Sequence, residues 1–195
     1  ILESCSKAIS LGYMHSIVRN VVISNCIIRN SHRGIAVMSS TGTGLVENIT
    51  ISNMVIETRV YAGNWWGNGE PLCMMAVYHN SDNCKFPVPK RQWKQNIRNI
   101  LVHNLICNAE NVLALIGEDK NIENIIIKDI VYHEKESPNR YLKGDSTVDL
   151  SPASHSAIYD RSQPVWCFLQ DVGHVEIGNC TAVSLNGETM CIQNA

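Results

Sequence analysis

The sequence predicts an all-β fold, a right-handed parallel β-helix of about five coils, on the basis of three observations. First, one eight-residue pattern starts at residues 18, 46, 97, 122 and 172, so the intervals are one or two units of about 25 residues. Second, positions one, four and six of each copy are Val or Ile, and the alternation at four and six has the period of a β-strand. Third, positions three and eight are mostly Asn, which adopts turn conformations and bonds to neighbouring backbone groups.

The two Asn columns predict ladders of side-chain amide hydrogen bonds at the corners of stacked coils. The position after the second column is apolar in every copy, which predicts an inward-facing column. A leucine-rich repeat is the nearest alternative fold, but it requires Leu where this chain has Ile and Val. The first column is Asn20, Asn48, Asn99 and Asn124, the second is Asn25, Asn53, Asn104, Asp129 and Asn179, and the apolar column is Cys26, Met54, Leu105, Ile130 and Cys180.

Each predicted coil also contains a second strand, and three loops interrupt the regular spacing. The chain opens in the middle of a coil and no capping helix precedes Ile1, although the end of a solenoid needs a cap. We therefore expect residues 1–195 to be a single β-helix domain that is truncated at its N-terminus. The second strands are predicted at 8–12, 34–38, 72–78, 112–116 and 166–169, and the rim loops at about 60–71, 79–96 and 133–165, the last with a strand-like segment at 156–159.

Composition and charge exclude several classes of function. The 195 residues carry a net charge of −2 and no basic stripe, which argues against a nucleic-acid partner. No apolar run reaches the roughly 18 residues that a membrane span requires. Several of the eight cysteines occupy inward positions, so we interpret them as buried thiols; this favours the cytoplasm but leaves secretion open. Cys73 and Cys84 are too widely spaced for a zinc clip, and no metal or other cofactor is predicted.

The segment at 64–71, Asn-Trp-Trp-Gly-Asn-Gly-Glu-Pro, is a candidate sugar-binding loop and is called the Trp loop below. The adjacent side chains of Trp65 and Trp66 point in different directions, so one ring can pack on the scaffold while the other offers a flat face to a sugar ring. Asn64 and Glu70 are placed to bind hydroxyl groups, and the glycines let the backbone turn tightly. In the alternative interpretation both Trp rings simply cover the core.

A second candidate cluster combines Lys7 with His32 and Arg33. Lys7 and Arg33 occupy equivalent positions in successive coils, which places them about 5 Å apart at backbone level. Two neighbouring cations repel each other unless an anion lies between them or both face solvent. The cluster therefore predicts either a site for an anionic or polyhydroxylated ligand or a pair of solvated surface charges.

The sequence assigns no catalytic residue. Glycoside hydrolysis needs two carboxyl groups that face one bond, and no predicted strand of this chain carries Asp-Asp or Asn-x-Asp. Glu57 and Glu70 are the only acids near the Trp loop in the sequence, and nothing in the pattern pairs them.

Residues 18–26 and 46–54 resemble coils of glycoside hydrolase family 28, the polygalacturonase family, and residues 64–71 look like a loop of its bacterial members. The resemblance covers most of the chain and is strongest over residues 1–60. It implies a pectin-lyase-like right-handed parallel β-helix that binds a poly- or oligosaccharide and hydrolyses pectic or related plant polysaccharide with inversion. The resemblance also places the catalytic aspartates on coils before Ile1, so that this chain alone would be inactive or nearly so.

Two cationic motifs of that family are not matched. Its Gly-His-Gly would fall on residues 6–8, where Lys7 replaces the histidine, and its Arg-x-Lys would fall on residues 36–38, which are Ala-Val-Met. Lys7, His32, Arg33 and the Trp loop would then form the floor and rim of a sugar groove. The alternatives are a non-catalytic glycan-binding or structural β-helix, like an adhesin or a tailspike stalk, and a polysaccharide lyase, which would need a Ca²⁺ site and a Lys or Arg base.

Overall fold

The computed structural model of the chain describes residues 1–39, 43–63, 66–77, 94–139, 146–150 and 156–195. These residues form fifteen strands, and within them no helix is long and apolar enough to cross a membrane. The strands are β1 Lys7–Leu11, β2 Ile17–Ser24, β3 Ile27–Ser31, β4 Arg33–Met38, β5 Leu45–Thr58, β6 Leu72–Met75, β7 Ile97–Ala109, β8 Leu113–Ile116, β9 Ile122–Glu134, β10 Thr147–Asp149, β11 Ser156–Ile158, β12 Val165–Gln170, β13 Val175–Gly178, β14 Thr181–Val183 and β15 Cys191–Asn194.

Two parallel sheets contain all but two of these strands. The six-stranded sheet has the order β1-β4-β6-β8-β12-β15, and the seven-stranded sheet has the order β13-β9-β7-β5-β2 with β3 beside β5 and β14 beside β9. All neighbouring strands in both sheets are parallel. The chain passes from one sheet to the other and back, so that successive passes lie side by side. The remaining two strands, β10 and β11, form an antiparallel pair.

The register confirms that the five repeats lie over one another. The fourth position of the pattern pairs across the whole seven-stranded sheet, from Val21 to Ile49, Ile100, Ile125 and Val175. The three central residues of this row are buried. Because a slip of one residue would turn every apolar side chain to the opposite face, the Val and Ile alternation sets this register.

The first Asn column forms the predicted ladder. Asn48 donates to Asn20 Oδ1 at 3.0 Å, Asn99 donates to Asn48 at 3.1 Å, and Asn124 donates to Asn99 at 2.8 Å. All four residues have φ between 55° and 58°, a left-handed conformation that Asn tolerates better than most residues. The repeated Asn therefore bends each strand and also joins it to the next. The second column contributes Asn104 to Asn53 at 2.7 Å and Asn179 to Asp129 at 2.5 Å.

The main core lies between the two sheets. Ile49 and Ile100 from the seven-stranded sheet belong to the same buried cluster as Val37, Met74 and Leu115 from the six-stranded sheet. Each such side chain contributes roughly 1.5–3 kcal/mol through burial. This cluster holds the sheets together and fixes the strands that carry the candidate site.

A second core covers the other face of the six-stranded sheet. Met38 and Cys73 lie next to main-core residues along their strands, and they form a separate buried cluster with Val148 and other apolar residues of the β10–β11 region. We predicted a polar rim loop over residues 133–165, whereas part of this segment packs on the sheet and supplies apolar side chains. The strand expected at 156–159 is present as β11.

The cysteines of the described residues are all free thiols, and Cys84 lies outside those residues. Burial raises the pKa of Cys73 and of Cys107 to about 12, so both thiols stay protonated at neutral pH. Cys26 and Cys180 pack against the main core, as the apolar column predicted. These cysteines therefore serve as small apolar side chains.

Candidate functional site

Strands β1 and β4 bring the two predicted cations together. Lys7 and Arg33 are direct partners in the parallel register, so the sequence-based placement is confirmed. Neighbouring strands are about 4.8 Å apart, so the two positive side chains extend from backbone positions that are close together. The two side chains nevertheless end in different environments, because Arg33 is buried and Lys7 is only partly buried.

Arg33 is not a surface charge, so the interpretation of Lys7 and Arg33 as a pair of solvated surface charges is wrong. Its side chain is fully buried and its Nε lies 3.1 Å from Glu70 Oε2, in an ion pair whose other member is also fully buried. Arg33 Nη2 donates a further hydrogen bond to the carbonyl oxygen of Asp149. Burial alone lowers the pKa of Arg33, but Glu70, by charge and hydrogen bond, and the charge of Asp149 raise it above the ordinary value. The guanidinium group is therefore charged, and its contacts with Glu70 and Asp149 hold it in the interior.

Glu70 likewise has no exposed surface for a sugar hydroxyl. Besides Arg33, its carboxylate accepts hydrogen bonds from the backbone nitrogens of Asn68 at 2.8 Å and Asp149 at 3.2 Å. Asp149 in turn accepts a hydrogen bond at its Oδ2 from Gly67 N at 2.7 Å. The predicted role of Glu70 as a direct ligand is therefore replaced by a role in holding the Trp loop.

Asp149 is the residue of this network that the sequence did not reveal. It lies on β10, far from the other members along the chain, and it belongs to no repeated column. Asn111 strengthens the same junction, since its side-chain nitrogen donates to the carbonyl oxygens of Asn68 and Thr147, at 2.9 Å each. The Trp loop, β4 and β10 are thus locked together by buried polar contacts.

The Trp loop turns through its glycines, as its composition indicated. Gly67 and Gly69 have φ of 115° and 90°, which side-chain-bearing residues rarely adopt. A Cβ atom on Gly67 would also lie 3.1 Å from the Cβ of Arg33. Residues 67–71 are buried, whereas Trp66 keeps 42% of its surface exposed. Residues 67–71 are therefore packed scaffold, and the exposed surface of Trp66 contradicts the interpretation in which this ring only covers the core.

Lys7 and Trp66 form the accessible part of the site. The Lys7 Nζ lies 4.5 Å from the centroid of the Trp66 ring, which places both residues on the same flank. The same Nζ is 6.0 Å from the ring of Tyr13, which is 41% exposed, and 3.6 Å from the sulfur of Met38. Tyr13 was not predicted, because it lies outside the repeated pattern and follows the strand that carries Lys7. We call Lys7, Tyr13, Met38 and Trp66 the lysine cage.

The partial burial of Lys7 and the charge of Arg33 disfavour the charged form of the Lys7 side chain. Partial burial is the larger cause and repulsion from Arg33 the second, and the resulting pKa of Lys7 is about 8. Within the described residues no carboxylate lies within salt-bridge distance of the ammonium group. A bound anion would remove this penalty, because it would supply the missing opposite charge.

The remaining predicted residues are distributed as follows. His32 is fully buried, and its ring centroid lies 6.0 Å from that of Tyr61, so it lines the interior and not an open groove. Asn64 and Trp65 lie outside the described residues. Glu57, the second acid near the Trp loop in sequence, forms an ion pair with Lys135 at 2.7 Å. The described residues contain no group of three metal-ligating side chains.

Comparison with known proteins identifies no relative, because no protein-family model, curated protein or solved structure matches the chain. The class of the protein is therefore set by its fold and its side chains. It is an all-β protein of two stacked parallel sheets that carries an aromatic and cationic surface at Lys7 and Trp66.

Proposed function

We propose that the chain is a right-handed parallel β-helix and that its Lys7–Trp66 flank binds an acidic glycan as part of a carbohydrate-active enzyme similar to glycoside hydrolase family 28. The observation that carries this proposal is the 4.5 Å contact between the Lys7 ammonium and the exposed Trp66 ring. A flat aromatic face stacks on a sugar ring, and an ammonium that has no carboxylate within salt-bridge distance in the described part of the chain attracts the acidic group of the same sugar.

The β-helix part of the proposal is supported by the alternation of the chain between two parallel sheets and by the Asn ladder. Identical turns at equivalent positions of successive passes are what stacked repeats require. Long insertions on such a scaffold carry binding sites, and the Trp loop and the β10–β11 region are two such insertions.

The proposed reaction is hydrolysis of a pectic or related polysaccharide, with a general acid and base from outside the described residues. Glu70 and Asp149, the two acids next to the cage, are buried and bonded to Arg33 and the Trp loop, so neither is placed to protonate a glycosidic oxygen. The same observation favours a second candidate, a non-catalytic glycan-binding β-helix. The two candidates share the binding flank and differ only in turnover.

Titration calorimetry of the 195-residue chain tests the binding flank. Oligogalacturonides should bind, and neutral oligosaccharides of equal length should bind more weakly because they lack the group that Lys7 attracts. Trp66→Ala should weaken binding at least several-fold with an unchanged unfolding midpoint. Leu185→Ala removes another exposed apolar side chain, 57% exposed, and should leave binding unchanged.

Two outcomes separate the possibilities. Equal affinity of Trp66→Ala and the unmodified chain would remove the flank from the binding site. Binding without release of reducing ends, on a panel of pectic polysaccharides and with every segment of the natural protein present, would favour the non-catalytic candidate over the hydrolase.

A further inference from the structure

Lys7 differs chemically from the other lysines of the described residues. Its Nζ lies 3.6 Å from a thioether sulfur and 4.5 Å from the centroid of the Trp66 ring, neither of which is a strong hydrogen-bond acceptor. Lys135, in contrast, forms an ion pair with Glu57 at 2.7 Å. Lys128 is exposed to water on the seven-stranded sheet. The Trp66 face attracts the Lys7 ammonium group, but the contacts of this group provide no strong hydrogen-bond acceptor to replace the water that burial removes.

We propose that Lys7 Nζ is a carbonyl-reactive amine that forms imines with small aldehydes and keto acids. A lysine becomes nucleophilic when it is partly desolvated or when it lies next to another cationic group. Lys7 meets both conditions, since the cage removes part of its hydration and Arg33 is its register partner on β4. The inference does not depend on the glycan proposal, because it concerns the amine alone.

The groups around Lys7 act on its pKa in both directions, and the net effect is a lowered pKa. Partial burial is the largest influence and Arg33 the second, and both lower the pKa of Lys7, which is about 8 once all neighbouring groups have acted. Asp149 raises it, but its carboxylate oxygen Oδ2 is held by Gly67 N. Cys73, the other titratable neighbour, stays protonated because burial raises its pKa to about 12. Arg33 is fixed by Glu70 and cannot move away to relieve the repulsion.

The reaction requires no further group from the protein. The neutral Lys7 amine attacks the carbonyl carbon, the resulting carbinolamine loses water, and a C=N bond replaces the C=O bond. Lys7 is only partly buried and its neighbours Trp66 and Tyr13 are exposed, so the amine lies on a face that a small carbonyl compound approaches from solvent. At pH 7.5 about a quarter of an amine of pKa 8 is neutral, against about a thousandth for an ordinary lysine.

Reductive trapping tests the proposal on the intact 195-residue chain. The protein is incubated with glyoxylate and cyanoborohydride at pH 7.5, and the carboxymethylated lysines are followed by peptide mass mapping. Lys7 should react at least about tenfold faster than Lys128 and Lys135. Acetaldehyde, which is uncharged, should show the same preference, so that attraction of an anion is separated from reactivity of the amine. The rate at Lys7 should increase with pH up to a midpoint near 8.

Trp66→Ala provides the matched variant, because it removes the ring beside Lys7 Nζ and lets water reach the amine while the lysine itself is unchanged. Its Lys7 should react several-fold more slowly while Lys128 keeps its rate. A Lys7 that reacts no faster than Lys128 in the unmodified chain would overturn the proposal, as would an unchanged Lys7 rate in Trp66→Ala. Neither result bears on glycan affinity, which calorimetry measures separately, so the two proposals fail independently.

Discussion

Replacing Glu70 by Gln tests whether the buried ion pair holds the Trp loop. The carboxylate of Glu70 faces Arg33 Nε at 3.1 Å and also accepts the backbone N–H groups of Asn68 and Asp149. Gln keeps the size of the side chain but removes its charge. It also directs an amide NH₂ toward a set of donors. Arg33 would remain buried with its main counter-charge lost.

The expected cost follows from the burial of both partners. Removing one member of a fully buried ion pair costs about 3–5 kcal/mol, because the other charge stays desolvated. Natural domains have a total stability of about 5–15 kcal/mol, so Glu70→Gln should lose a large part of it. Urea unfolding measures this loss as a lower midpoint at similar slope.

An exposed ion pair of similar length supplies the control. Arg29 and Glu3 lie 3.3 Å apart with side chains 56% and 47% exposed, so Glu3→Gln should cost less than about 1 kcal/mol. The double variant Arg33→Met/Glu70→Gln should cost less than the sum of its single changes, since the two residues interact directly. A loss below about 1 kcal/mol for Glu70→Gln, or additive single changes, would refute the reasoning.

Two further predictions concern the ladder and the cage. Asn99→Ala should lower the free energy of unfolding in urea by about 2–3 kcal/mol, because it removes the hydrogen bonds to Asn48 and Asn124 and places Ala at φ 56°. Asn99→Gly loses the same hydrogen bonds without the backbone strain, so it should be about 1 kcal/mol more stable than Asn99→Ala. Equal losses in the two variants would contradict the role of backbone strain. Between pH 8 and 10.5 the folded chain binds fewer protons at Lys7 than the unfolded chain, so the free energy of unfolding should rise with pH more steeply than it does in the Lys7→Met variant. Parallel pH profiles of the two proteins would contradict the lowered pKa of Lys7.

The repeated parts of the fold were predictable because each copy of the pattern reports the same local environment. Val21 and Ile49 recur at one position of the pattern and pair in the sheet, and Asn20 and Asn48 recur at another and hydrogen-bond to each other. Periodicity of two and repeated turn residues are local signals. The second strands were found for the same reason, since short apolar runs stand out between polar turns.

The environment of Arg33 was not predictable, because its partners are distant in the chain. Glu70 is 37 residues away and Asp149 is 116 residues away. Neither residue belongs to a repeated column, so no pattern relates them to Arg33. The sequence placed Arg33 next to Lys7 correctly, but burial of one cation and not the other depends on contacts that only the folded chain brings together.

The second core explains why the accessible site is found beside β1. Strands β4, β6 and β8 are buried at every position, which is typical of strands covered on both faces. The uninterrupted apolar runs in these strands indicate that both faces are covered, because a strand with one solvated face alternates apolar and polar residues. In β1, by contrast, Ser10 is exposed and Lys7 is half-buried. The second core therefore covers the middle of the six-stranded sheet, and the ligand that we propose, in contact with Lys7 and Trp66, would lie toward the β1 end of that sheet.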